Sequence, residues 1–97
     1  AWRRAARAEI AAAGDDPVRL AEILRRAALA THPRVDVASL TGPAWLAFLD
    51  AEAGGTAFTE GPGRALATAP YVPDPAAVPG LAALVADWVR TRNPALA

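Results

Sequence analysis

Leu20, Ile23, Leu24, Ala27 and Thr31 fall on one side of a helix and form the clearest periodic stripe in this chain. Asp16 stands as its N-cap and Pro17 occupies the first turn, where a missing N–H costs nothing. Pro33 stops it. Arg19, Glu22, Arg25 and Arg26 lie off the stripe, with Glu22 and Arg26 spaced for an i,i+4 pair worth about 0.3–0.5 kcal/mol. A thinner pattern precedes it. Trp2, Ala6, Ile10 and Ala13 define a helix of alanine and arginine with little to bury, ended by Gly14.

Asp36 is placed to cap a single turn through Val37 and Leu40. Thr41 and Pro43 open a third long helix, on which Trp45, Leu46, Phe48 and Leu49 make a wide apolar face, and Gly54-Gly55 ends it. Thr59 or Gly61 starts a short helix through Leu66, stopped by Pro70. Tyr71-Val72-Pro73-Asp74-Pro75 is too proline-rich for a helix or inner strand and reads as extended. Phe58 and Tyr71 within this stretch need a core to pack on. The last helix spans about 76–92. Leu81, Leu84, Val85 and Trp88 form its buried side, Arg90 and Arg92 complement its C-terminal dipole, and Asn93-Pro94 terminates it.

No run alternates convincingly at period two. The pattern therefore predicts an all-α fold: a compact bundle of four main helices plus one or two short helical turns, with a Pro/Gly-rich connection between residues 54 and 80. At 97 residues the chain is one small domain with one core.

Composition narrows the chemistry. With no cysteine and one histidine, His32, disulfides, thiolate zinc sites, thiol catalysis and multi-histidine metal centres are excluded. All basic residues are arginine, which removes Schiff-base chemistry and the P-loop lysine. No cofactor is expected. Net charge is zero but uneven: residues 1–34 hold seven Arg against four acids, and residues 35–97 hold three Arg against six acids. The front is basic and the body acidic, which argues against a nucleic-acid footprint over the whole domain. No stretch is long and apolar enough to span a bilayer. Yet Trp2 beside Arg3, Arg4 and Arg7 is the flank expected just inside a membrane, with Trp at the headgroups and Arg in the cytoplasm.

Several motifs follow in order: Arg25-Arg26-x-Ala-Leu-x-x-x-x-Pro33, Leu40-Thr41-Gly42-x-x-Trp45-Leu46-x-Phe48-Leu49-Asp50, Phe58-x-x-Gly61-Pro62-Gly63 and Pro70-Tyr71. In this the chain resembles a bacterial family of small membrane proteins known as a domain of unknown function, the DUF4381 type. The resemblance implies a short extracytoplasmic N-terminus, one transmembrane helix, an Arg-rich stop and a helical C-terminal domain. On that reading residues 1–13 are the juxtamembrane helix and residues 14–97 a helical cytoplasmic domain, anchored to the inner membrane by a helix upstream of Ala1. Genes of the family lie beside those of MoxR-type AAA+ ATPases and von Willebrand factor A proteins, so the resemblance implies a component of such a system. It implies no catalytic residues.

Asp50 lies near a helix C-terminus, where the dipole disfavours a carboxylate. It is expected to serve a neighbour, by accepting N–H groups at the start of the Gly61-Pro62-Gly63 helix or by pairing with Arg64 or Arg25. A general-base role needs a second titratable group that the sequence does not place nearby. Gly61 and Gly63 fit a tight turn into a helix, whose free N–H groups offer a seat for an acidic partner residue. Charged His32 at a helix end suits the dipole. Phe48 and Trp88 read as core; Trp45 and Tyr71, with Gly61 and Gly63, form the candidate partner surface. The expectation is a non-enzymatic protein-interaction domain with Arg3, Arg4 and Arg7 against anionic headgroups. A helix-turn-helix nucleic-acid binder over Asp36 to Ala51 is the alternative, but Pro43 to Ala53 has no Arg, Asn or Gln to read bases, and its Asp50 and Glu52 repel phosphate.

Overall fold

The computed structural model describes residues 2–92. Its elements are α1 (Trp2–Ala13), α2 (Pro17–Thr31), α3 (Arg34–Val37), α4 (Gly42–Ala53), a 3-10 turn Pro62–Arg64, α5 (Ala65–Thr68), a second 3-10 turn Ala69–Tyr71, and α6 (Leu81–Arg90). The fold is all-α, and α1, α2, α4 and α6 are the four main helices. Among the described residues no helix is long and apolar enough to cross a membrane.

Helix α2 is the hub. It packs on α1, α3, α5 and α6, while α1 also lies along α6 and α4 along α5. Its start follows from local chemistry: Asp16 Oδ1 accepts the Val18 and Arg19 N–H groups at 3.0 and 3.4 Å. Every residue of the expected stripe is buried, and Ala28 joins it. Thr31 is accommodated by donating its hydroxyl to the Ala27 carbonyl one turn back, at 3.0 Å. Ala6 and Ile10 carry α1 into this same core, so the thin stripe of the first helix still fixes it to the bundle.

Trp45, Trp88 and Phe58 are the largest side chains of the interior. Trp88 crosses from α6 to α4 and donates its indole N–H to the Leu49 carbonyl at 3.2 Å, which satisfies the one polar atom it buries. Gly54, at φ +80°, closes α4 as a left-handed cap, and its N–H reaches the Asp50 carbonyl.

The structure departs from the sequence reading at several boundaries. Helix α6 begins at Leu81, about one turn later than the alanines at 76 and 77 imply, because Gly80 at φ +86° breaks the chain direction just before it. The cap of α3 is Pro33, with Asp36 inside the turn, since proline's fixed φ already sets up the first turn. Pro70 lies within the second 3-10 turn, near whose start no N–H is needed, so Tyr71 is helical and the extended backbone starts at Val72. Arg26 pairs with Glu9 of α1 at 2.8 Å, a partner on another helix, where the spacing pointed to Glu22. The Asn93-Pro94 stop lies outside the described residues.

Candidate functional site

Trp45, Phe48, His32 and Trp88 form a chain of rings, buried at Trp45 and Trp88 and half-buried at Phe48 and His32, that runs through the bundle. The Arg25 guanidinium lies 4.0 Å above the Trp45 ring. Phe48 stacks on Trp45 at 5.9 Å with an interplanar angle of 12°. His32 meets Phe48 edge-on at 4.9 Å and Trp88 at 6.2 Å, and Arg92 covers Trp88 at 5.0 Å. A cation thus closes each end of the stack, the geometry in which an arginine gains from the ring quadrupole.

The Arg92 end is a clasp between helix ends. Arg92 Nη1 donates to the Glu52 carbonyl at 2.7 Å, and His32 Nε2 lies 2.6 Å from Glu52 Oε1. His32 caps α2, Glu52 ends α4 and Arg92 follows α6. Arg92 there faces a carbonyl left free at the C-terminal end of α4.

The Arg25 end is open. Arg25 donates to the carbonyls of Val37 at 3.0 Å and Leu40 at 2.7 Å, and so ties down the end of α3. Among the described residues no carboxylate pairs with it. Burial holds its pKa below the ordinary arginine value, with Tyr71 acting in the opposite direction. Beside it opens a cleft of about 380 Å³ between α2, the start of α4 and the α5 segment, with Val18, Ala21, Trp45, Leu66 and Pro70 among its walls and Glu22 on its lining. That volume lies at the low end of small-ligand sites, roughly 300–1,000 Å³. Tyr71 stands at this cleft 81% exposed.

Asp50 is the one buried acid among the described residues. Its Oδ1 accepts the Phe58 N–H at 2.9 Å, and its Oδ2 accepts the Thr59 N–H at 3.0 Å and the Thr59 hydroxyl at 2.5 Å. The donors come from the turn before Gly61, and neither Arg25 nor Arg64 is its partner. The physical reason is reach: the left-handed stop at Gly54 folds the chain back so that this turn meets the end of α4.

The proposed partner surface separates. Tyr71 is exposed, which leaves it accessible to a partner but without the core to pack on that its ring called for; Gly61 is half-buried, and Trp45 and Gly63 are buried. Gly63 serves close packing, since a Cβ there would lie 2.7 Å from Phe58 Cα. A Cβ on Gly61 would lie 2.7 Å from the Ala57 carbonyl oxygen. Of the three N-terminal arginines, Arg4 and Arg7 are exposed. Arg3 is half-buried and donates to the carbonyls of Val89 and Arg92, so it caps the C-terminal end of α6 in place of facing outward.

The helix-turn-helix alternative gains nothing from the geometry. Helix α3 is four residues long. Helix α4 buries Trp45, Leu46, Leu49 and Asp50 and exposes Ala44, Ala47, Ala51 and Glu52, none of which can donate to a base edge. Among the described residues no group of three or more His, Cys, Asp or Glu side chains is placed to hold a metal ion.

Sequence reasoning missed Arg25 as a site residue because its carbonyl partners lie 12 and 15 positions away. The Arg25–Trp45 pair is visible only as two members of one motif series. No curated protein and no solved structure matches the chain. Residues 1–91 match the family described as Domain of unknown function (DUF4381), and the chain belongs to that family.

Proposed function

We propose, from that membership, that this domain works by being bound: it is a non-enzymatic interaction module of a membrane-anchored protein. The observation that carries the reading is the open cleft with exposed Tyr71 on its edge and a stacked arginine beside it. A tyrosine that is neither buried nor needed by the core is the kind of residue that anchors interfaces. The state of Asp50 supports the same view, because both its oxygens are engaged by the following turn and it fits a scaffold role better than proton transfer.

The partner suggested by the family's gene neighbourhood is a MoxR-type AAA+ ATPase or a von Willebrand factor A protein. The anchor is a transmembrane helix upstream, with the domain on the cytoplasmic face of the bacterial inner membrane. Exposed Arg4 and Arg7 then meet anionic headgroups, each contributing about 1 kcal/mol near the surface. The test is to express the full-length protein with its neighbouring genes and purify it from detergent-solubilised membranes. Retention of the ATPase or the von Willebrand factor A protein supports the reading, and loss of both from the membrane-extracted protein refutes the partner.

A further inference from the structure

We propose that the cleft beside Arg25 takes an acidic–apolar stretch of a partner polypeptide, with an apolar side chain in the cleft and an adjacent carboxylate on Arg25. This rests on the reading of the domain as an interaction module, and it names the chemistry of what is bound.

Charge complementarity carries the argument. Arg25 keeps its full charge, because carbonyls and an indole ring orient a guanidinium without neutralising it. Two of its N–H groups hold α3, and the guanidinium retains three more donors. The neighbouring Arg26 is already matched by Glu9, so the unmatched cation in this cleft is Arg25. Desolvation makes such a charge costly alone and strongly attractive to a carboxylate that arrives with its own apolar cover. The walls supply that cover: Val18, Ala21, Trp45, Leu66 and Pro70 leave room for one large apolar side chain. Glu22 also lines the cleft, but it is exposed and water screens it. It weakens an acidic ligand without barring it, and so provides a test of sign.

The experiment is an amide NMR titration of the 97-residue chain with two capped dipeptides, acetyl-Trp-Asp-amide and acetyl-Trp-Asn-amide, which differ by the carboxylate. The Asp peptide is expected to shift the amides of Ala21, Arg25, Gly42 and Ala67 and to bind about fivefold tighter than the Asn peptide, an advantage that added salt removes. Arg25→Gln should erase the difference. Because Arg25 also holds α3, Glu22→Gln is the second variant: it lies on an exposed position and should tighten the Asp peptide about two- to fivefold while leaving the Asn peptide unchanged. Equal affinities for the two peptides, an unresponsive Glu22→Gln variant, or no shift in the cleft overturns the proposal. So does a response of these amides to anionic vesicles that persists in the Arg4→Ala, Arg7→Ala double variant and is lost with Arg25→Gln, which makes the cleft a lipid site. Shifts confined to another surface overturn it too, yet leave the interaction reading standing, which fails only if the full-length protein retains neither partner.

Discussion

Asp15 Oδ1 accepts the backbone N–H of Ala82 at 2.9 Å across 67 positions of sequence. Its carbonyl also takes the Val78 N–H at 3.0 Å. The α1–α2 loop therefore caps α6, whose own N-cap, Gly80, has no side chain to offer. Two adjacent aspartates do two jobs: Asp16 caps α2 and Asp15 caps a helix far along the chain. Asp15→Ala should cost about 1–2 kcal/mol in urea unfolding and raise hydrogen exchange at the start of α6. Asp16→Ala should cost a similar amount but loosen α2 first.

Asp50 joins the end of α4 to the next turn through three hydrogen bonds. Asp50→Ala leaves the buried Phe58 N–H without a partner and should destabilise the domain by about 3 kcal/mol. Thr59→Val removes one of the three and should cost about 1 kcal/mol. A chemical unfolding series that finds the two substitutions equal would contradict this account of the turn.

Gly63 and Gly54 test two different needs for glycine. A methyl group at Gly63 would overlap Phe58 backbone and ring, at 2.7 and 2.6 Å, whereas at Gly54 it meets open space and only the left-handed φ of +80° opposes it. Gly54→Ala should cost about 1 kcal/mol and Gly63→Ala about 2–3 kcal/mol or more, measured as urea midpoints at constant slope.

The helix ends written in local chemistry were legible: Asp16-Pro17 starting α2, Gly14 and Gly54 ending their helices, and the stripe from Leu20 to Thr31. What escaped was set by distant partners. The alanines at 76 and 77 favour helix by propensity, but the chain there is held by Asp15 and turned by Gly80. Phe58, whose N–H Asp50 holds, is buried, while Tyr71, similar in apolar weight, is exposed, a difference that local sequence does not carry. In the site, the stacking motif members Trp45 and Phe48 were readable as aromatic and helical. The placement of Arg25 over Trp45 required the tertiary fold.

The N-terminal arginines should divide by role. Arg3→Ala removes the donors at the C-terminal end of α6 and should cost about 0.5–1 kcal/mol of stability. Arg4→Ala with Arg7→Ala should leave stability within about 0.5 kcal/mol and weaken sedimentation with anionic vesicles about 10- to 30-fold. Vesicle binding that depends only on Arg3 would contradict the proposed orientation.

The most direct measurement is photocrosslinking from Tyr71 in the full-length protein, expressed in cells with its neighbouring genes. A benzophenone amino acid replaces Tyr71 at the cleft, and in a control replaces Ala83, an exposed residue of α6 that does not line it. Binding through the cleft predicts that the Tyr71 position captures the proposed partner, an AAA+ ATPase or a von Willebrand factor A protein, identified by mass spectrometry, and the Ala83 position does not. Capture of that partner from Ala83 alone, or of neither partner from either position, would contradict it.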